Sequence, residues 1–521
     1  MDLLTALIID LIIIAVLFEI AQRASIPYPA LFVIGGLALG FIPGLPSIHL
    51  EPDLVLLVFL PPLLFVAAFE TPIRDLRRNL APIARLSIAL VILTAVVVAA
   101  VAQALVPTMG WAAAFALGAI VAPTDALAAT SVFRRIGVPK VAITLIEGES
   151  LFNDATALIA YRAAVVATVT GVFVLTDTLA AFVVAAAGGI ALGWIVGRIM
   201  AELVKWLDDP PVEVVLSLLI PYAAYLPAEQ LGLSGVLAVV TTGLVIGRRL
   251  GTILSPSSRV LWLTSWKMVG FVLNGLIFVL IGLALPDILE GLGHMAPGRL
   301  LTLALLVCVA VIGTRFVYVF LASLLPNSPR RLVAREDPRL ATRLTFLVAW
   351  SGLRGAVSLA AALALPLDFP ERNLIQLVTF AVILATLVGQ GLTLPLVVRW
   401  VGWDGRDPDG DEATFARQTV YRLGLDAVTY SRTRWPDHAP LLDRLESGLG
   451  DRMQHLSTED DDEDQTEERR REHHEHEEIQ LYVINAQRAA AIALRDAGEI
   501  NDATLREIER ELDLEELRME A

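Results

Sequence analysis

Apolar residues run along this chain in long blocks instead of alternating with polar ones, and the block length is the first clue to structure. A bilayer core about 30 Å thick takes roughly 20 mostly apolar residues as one helix. On that criterion thirteen spans are predicted, at 2–21, 28–46, 53–71, 80–106, 110–133, 139–168, 177–205, 212–228, 232–247, 262–286, 299–325, 343–366 and 373–400. The first lacks a basic leader and a small-residue cleavage site before Pro27, and it carries Asp10 and Glu19. It therefore reads as a retained helix, not a signal peptide. Past residue 401 the blocks give way to short amphipathic stretches and acidic runs.

Two spans are interrupted. The fifth contains Ala122-Pro123-Thr124-Asp125, where proline removes a backbone donor and disfavours helix in the residue before it. The twelfth contains Ser351-Gly352-Leu353-Arg354-Gly355, two glycines around an arginine. Irregular backbone at membrane depth survives only where protein buries it or a cavity borders it. If the seventh span is a linker, the breaks fall in the fifth helices of two six-helix halves, and the odd linker inverts the second half. Paired interrupted segments at matching positions mark the midplane site of a transporter.

Composition fits that reading: 56% of the 521 residues are hydrophobic and 18% charged, with a mean hydropathy of +0.66. An ordinary soluble domain holds about 25% charged residues, so the composition argues against a purely soluble protein. The thirteen spans exclude a soluble enzyme, and no nucleophile–base constellation is present. The net charge of −15 belongs to the tail. Residues 1–400 hold 25 Lys and Arg against 23 Asp and Glu, whereas 401–521 hold 15 against 32. No basic stripe is available for phosphates, so nucleic acid is not an expected partner. The one cysteine, Cys308, permits no intrachain disulfide.

Basic residues also orient the spans. With the N-terminus outside, 19 Lys and Arg lie in or beside the cytoplasmic loops, and only Arg299 and Arg372 lie outside. That is the positive-inside bias of a multi-pass plasma-membrane protein whose tail after Arg399 is cytoplasmic.

Ionisable residues inside spans are costly and normally face a polar cavity or a partner. Among them are Asp125, Glu147, Glu149, Asp154, Arg162, Arg315 and Arg354; Arg162, Glu19 and Glu70 lie near span ends, where a side chain can reach the interface. In the sixth span, Ile146 to Thr156 reads IEGESLFNDAT, and helical geometry puts Ser150 and Asp154 on one face, Glu149 and Asn153 on the next. With Asp125 and carbonyls freed at Thr124, the set offers oxygen ligands without thiolate or imidazole, as hard cations require. One or two carboxylates suit a monovalent ion. A carboxylate shielded from water needs either a proton or a cation beside it, so the two compete for Asp154. Swapping one Na⁺ for one H⁺ moves no net charge, and the membrane potential then exerts no drive. Arg315 is expected to pair with Glu149 as a fixed bridge, leaving Asp154 as the exchanging group. Arg354 is expected to balance either Asp125 or a half-helix end.

At these residues the chain resembles the electroneutral, NhaP-like sodium/proton antiporters. The similar stretches are APTDA (122–126), EGESLFNDAT (147–156), Thr314-Arg315 and WSGLRGAVSLA (350–360), within an apolar part covering 1–400. The resemblance implies an all-α membrane fold of thirteen helices in two inverted six-helix repeats, a homodimer, and elevator-like movement of an ion-binding core. It implies Asp154 as the ion and proton carrier, Thr124 (backbone), Asp125 and Ser150 as further ion-site groups, and a Glu149–Arg315 bridge. Asn153, standing where electrogenic relatives carry an aspartate, marks the electroneutral branch, and Arg354 belongs to the polar network. The chain departs from the family at Ala126, where PTDP is common, and at Val66, where an acidic residue often follows a stretch like LPPLLF; Glu70 is one turn on. The expected activity is Na⁺ (or Li⁺)/H⁺ exchange without a cofactor. Alternatives are K⁺/H⁺ exchange on the same fold, or a channel or non-transporting sensor.

Two domains are expected, an antiporter domain at 1–401 and a tail at 402–521. In the tail, 402–411 reads as a linker, Glu459–Asp464 as a solvated acidic run, and 467–497 and 503–518 as helices. Leu505, Ile508 and Leu512 share a face suited to a regulatory or dimerising hairpin, while His473, His474 and His476 read as exposed side chains.

Overall fold

In a computed structural model the described residues are 3–24, 27–42, 52–207, 209–283, 285–290, 296–325, 338–401, 410–456, 481–494, 497 and 502–519. All regular structure among them is helical. The chain divides into two compact units, Met1–Asp407 and Pro408–Ala521.

The first unit contains α1 (Leu3–Ala24), α2 (Tyr28–Gly40), α3 (Pro52–Glu70), α4 (Leu80–Leu105), α5 (Trp111–Val121), α6 (Leu127–Ile136) and α7 (Lys140–Thr170). It continues with α8 (Leu175–Lys205), α9 (Pro210–Gln230), α10 (Gly235–Ile253), α11 (Pro256–Leu283), α12 (Pro297–Ser323), α13 (Pro338–Trp350), α14 (Ala356–Leu363) and α15 (Arg372–Trp400). Among the described residues seven helices are long and apolar enough to cross a membrane: α4, α8, α9, α10, α11, α12 and α15. Their surfaces fit a lipid solvent. On α8, Val183, Val184, Ile190, Trp194, Ile195, Ile199 and Leu203 are all exposed.

Small residues bring the helices together. On α8 the buried stripe Gly189, Gly193, Gly197 and Ala201 repeats every four residues and faces α10. A Cβ on Gly193 would sit 2.2 Å from the Ala238 carbonyl oxygen, so only glycine permits this approach. Thr242 Oγ1 uses the proximity to donate to the Gly193 carbonyl at 2.9 Å.

Both predicted interruptions are present: α5 stops at Val121 with 122–126 unwound, and α13 stops at Trp350 with 352–355 unwound. Several boundaries differ from the hydropathy pattern: α10 runs to Ile253 where 247 is predicted, and α13 begins at Pro338 where 343 is predicted. α11 begins six residues before the predicted 262, because Ser255 Oγ accepts the Ser258 N–H at 3.2 Å and Pro256 suits the first turn. Helix α2 ends at Gly40, and the rest of that span, from 43 on, lies outside the described residues. Widened π-type turns at Arg85–Ala89 in α4 and Leu384–Gln390 in α15 have no counterpart in the hydropathy pattern.

The second unit holds α16 (Gly410–Arg434), α17 (Ala439–Leu456), α18 (Leu481–Leu494) and α19 (Asp502–Met519). Helices α16 and α17 form a hairpin over buried Val428 and Leu442, and Arg432 reaches Asp443 at 2.6 Å and Glu446 at 2.5 Å. Arg488 of α18 meets Asp513 and Glu516 of α19, each at 2.5 Å. Leu505 and Leu512 are buried as their shared face predicts, with Ile508 half-buried. Water screens these surface ion pairs, so they add little to stability. Of the linker predicted at 402–411, residues 410–411 belong instead to α16 and 402–409 lie outside the described residues, as do the acidic run and the three histidines.

Candidate ion-exchange site

The two unwound segments meet. The Asp125 N–H donates to the Leu353 carbonyl at 2.8 Å, tying one break to the other. Proline at 123 and glycines at 352 and 355 are what free these backbone groups from their own helices. Four half-helix ends therefore converge, two exposing N–H groups and two exposing carbonyls.

Fixed charges answer each end. Asp125 Oδ1 accepts the Leu127 N–H at 2.8 Å, capping the start of α6. A Cβ on Gly355 would lie 2.1 Å from Asp125 Oδ2, so the same carboxylate abuts the start of α14. A negative charge between two helix N-termini is stabilised by both. At the carbonyl ends, Arg354 Nη1 donates to the Ala122 carbonyl just beyond α5, and its N–H donates to Thr386 Oγ1 at 3.0 Å. Thr386 lies in the π-type segment of α15, which carries it to the break. Of the two expected partners for Arg354, the structure selects the half-helix end. Arg315 covers the end of α13 through the carbonyls of Val348, at 2.9 Å, and Ala349, at 3.2 Å.

Arg315 also forms the expected bridge. Its Nη1 and Nη2 meet both oxygens of Glu149, the second at 3.0 Å, with the two side chains 2% and 1% exposed. Thr124 Oγ1 donates to Glu149 Oε1 at 3.0 Å and accepts from Asn153 Nδ2 at 2.7 Å. Glu149, Asn153 and Thr124 are thus joined in one network on the face of α7 predicted for the first two.

The neighbouring face of α7 is different. Ser150 and Asp154 line a cavity of about 370 Å³ together with Thr124 and Asp125. Among the described residues Asp154 makes no hydrogen bond or ion pair, and it is 7% exposed. The nearby arginines are both committed elsewhere. Toward its exposed end the cavity is bordered by Glu70, Arg134 and Glu147, the last two paired at 2.7 Å. Leu60, Leu63, Leu64 and Val66 of α3 supply an apolar wall. Arg162, also inside a predicted span, pairs with Glu229 at 2.5 Å away from this cavity.

Sequence pattern does not single out Thr386, Asn274 or Ser358. The last two line the cavity, and Thr386 holds Arg354. Asn274 is readable in principle as a lone amide in an apolar helix, whereas Thr386 and Ser358 resemble ordinary helical hydroxyls.

A simple test of the crossing is Gly355→Ala. The new methyl must displace the Asp125 carboxylate, which Leu127 holds in place, so roughly 1–3 kcal/mol of stability should be lost. The control is Gly389→Ala, where nothing lies within 4 Å. The crossing is wrongly described if both variants melt like the parent in detergent.

Comparison with known proteins places this architecture. An uncharacterised Na⁺/H⁺ exchanger of Mycobacterium tuberculosis is 34% identical over 510 residues, covering 96% of this chain and 93% of the relative. The low-affinity Na⁺/H⁺ antiporter NhaS1 of Synechocystis is 36% identical over 427 residues, covering 80% and 77%. The solved structure of the sodium proton antiporter MjNhaP1 from Methanocaldococcus jannaschii superposes with a TM-score of 0.60 at 21% identity, over 77% of this chain and all of that one. Residues 11–400 match the family described as sodium/hydrogen exchanger, transmembrane, and the chain belongs to that family of multi-pass membrane transporters.

Proposed function

We propose that this chain exchanges Na⁺ or Li⁺ for H⁺ across the membrane, one for one, with Asp154 as the carboxylate that each ion occupies in turn. One observation carries the reading. Every other charge at the crossing is spent on a partner, Glu149 on Arg315, Arg354 on Ala122, Asp125 on the α6 N-terminus, while the buried Asp154 faces the cavity with no hydrogen bond or ion pair among the described residues; Glu70, likewise without one, sits at the cavity's exposed end. Ser150, the Thr124 backbone and Asp125 are the neighbouring oxygen groups for the cation. Asn153 and the Glu149–Arg315 bridge set the shape of the site, and Arg354 holds the two breaks together.

The wider arrangement follows from that reading. Thirteen membrane crossings, counting α5–α6 and α13–α14 as one each, put the two ends on opposite sides, and the basic residues of the loops favour the N-terminus outside and the second unit in the cytoplasm of a plasma membrane. The two breaks then sit in inverted six-helix repeats, and the cavity end bearing Glu70, Arg134 and Glu147 faces inward. A homodimer, with the acidic tail available for regulatory contacts, completes the proposal.

Ion exchange is tested directly in proteoliposomes. Imposed Na⁺ and Li⁺ gradients should each drive proton movement reported by an internal pH dye, at the same rate with the membrane potential clamped at 0 and at about −100 mV. One net charge per cycle would add about 2.3 kcal/mol of drive per 100 mV, so a rate that follows the clamp refutes one-for-one exchange. K⁺ in the same series decides between sodium and potassium as cargo, and proton movement with none of the three cations rejects the function.

A further inference from the structure

Ser358 stands out among the hydroxyls of the membrane unit. It lies in the first turn of α14, three residues after Gly355, and it borders the same cavity as Asp154, Asp125 and Ser150. Its side chain is 1% exposed, and its Oγ has no hydrogen-bond partner.

A serine in a helix normally donates back to the carbonyl three or four residues earlier. The buried Ser351, Thr156 and Thr386 do so, at 2.6, 3.2 and 2.8 Å. For Ser358 those carbonyls belong to Gly355 and Arg354, inside the unwound segment, and neither receives its proton. The break that opens the helix also strips this hydroxyl of its usual acceptor. The other cavity hydroxyls are differently placed. Thr71, Thr130 and Ser131 donate to carbonyls of their own helices, and Thr124 is held between Glu149 and Asn153. Ser150 and Ser358 remain, one from each broken half of the chain.

The wall opposite them matters equally. Val66 puts a hydrocarbon side chain on the cavity where an acidic one would add a second mobile charge, and Gly270 of α11 packs beside it, its added Cβ 3.8 Å from Val66 Cγ1. With a hydrocarbon side chain at 66, and Glu70 and Glu147 at the exposed end of the cavity, the neutral oxygens beside Asp154 and Asp125 are the further groups suited to a hard cation at the crossing.

We propose that Ser358 is a cation ligand of this site, contributing its hydroxyl oxygen from the second broken helix to the cavity that Ser150 also lines, and that it sets affinity for the transported alkali ion without taking part in proton carriage. This rests on the exchange reading above. A bound cation would accept the oxygen lone pair, and the protonated state of the site would leave that hydroxyl unused. Cation affinity and proton affinity are therefore separable at this residue.

The experiment is the Na⁺ concentration giving half-maximal exchange in proteoliposomes at fixed pH, for the parent and for Ser358→Ala, Ser358→Thr and Ser358→Cys. Loss of one neutral oxygen ligand should raise that concentration roughly threefold to tenfold in the alanine variant. The maximal rate and its pH profile at saturating Na⁺ should stay as in the parent. Threonine keeps the oxygen and should restore affinity; cysteine, with a soft sulfur in a similar volume, should not. If the alanine variant fails to fold, the cysteine variant carries the same comparison. Parent-like half-saturation in the alanine or cysteine variant overturns the role of Ser358 and leaves exchange at Asp154 standing. A shifted pH profile at saturating Na⁺ overturns it too, because proton carriage is then affected. A parent protein that moves no protons in response to Na⁺ removes the underlying reading itself.

Discussion

Asp154→Asn should abolish Na⁺-driven proton movement while leaving a protein that inserts, purifies and melts within a few degrees of the parent. The carboxylate has no hydrogen bond or ion pair among the described residues, so replacing it breaks nothing that holds helices together. Neutralising an unpaired buried charge removes an electrostatic cost, and its volume is conserved. What disappears is the ability to bind a proton or attract a cation. Transport should therefore fall to the level of empty vesicles with melting shifted by less than about 3 °C, within the 2–4 °C that about 1 kcal/mol moves a domain of 150–250 residues. Exchange above background in this variant would mean that another group carries the ion. A variant that does not fold would mean that Asp154 has a structural partner.

Arg315→Ala should have the opposite signature, a large loss of folded protein. The substitution strands Glu149, 1% exposed, and also uncovers the Val348 and Ala349 carbonyls at the end of α13. Breaking one side of a buried pair costs about 3–5 kcal/mol, against a total stability of about 5–15 kcal/mol for a typical protein. Yield and melting temperature should both drop sharply. Lysine should not rescue, because one ammonium cannot span two carboxylate oxygens and two carbonyls together. The double variant Arg315→Ala, Glu149→Gln should recover part of the loss, since its remaining polar group is neutral. Normal yield of Arg315→Ala, or no recovery in the double variant, would dismiss the bridge as a structural element.

Much of this site was legible in the sequence, for identifiable reasons. Pro123 and the Gly352/Gly355 pair announce broken helices because each changes what the backbone can do. Glu149 and Arg315 announce one another because unpaired charges at membrane depth are costly. Helical spacing separates the Glu149–Asn153 face, which became the fixed network, from the Ser150–Asp154 face, which borders the cavity. What stayed hidden involves the backbone. Arg354 could not be matched to Ala122, because a carbonyl is present at every position and carries no letter of its own. The contact from Thr386 depends on a π-type turn that periodicity does not reveal. Ser358 sits in SLAAALAL, where a serine reads as a minor interruption of an apolar helix. The start of α11 was misplaced because hydropathy sees apolar content, and its first turn is instead set by the hydroxyl of Ser255.

The bridge between Glu149 and Arg315 joins residues 166 positions apart. At about 5–20 residues per second of synthesis, roughly 10–30 s separate the emergence of the two from the ribosome. Throughout that interval the newborn first half must wait in the bilayer with Glu149 lacking its cationic mate. The bundle is then held loosely, among helices that have not yet docked. An insertase or chaperone that shelters this half-made bundle should be needed most between completion of α7 and arrival of α12, and nascent chains arrested in that window should be the ones most readily degraded.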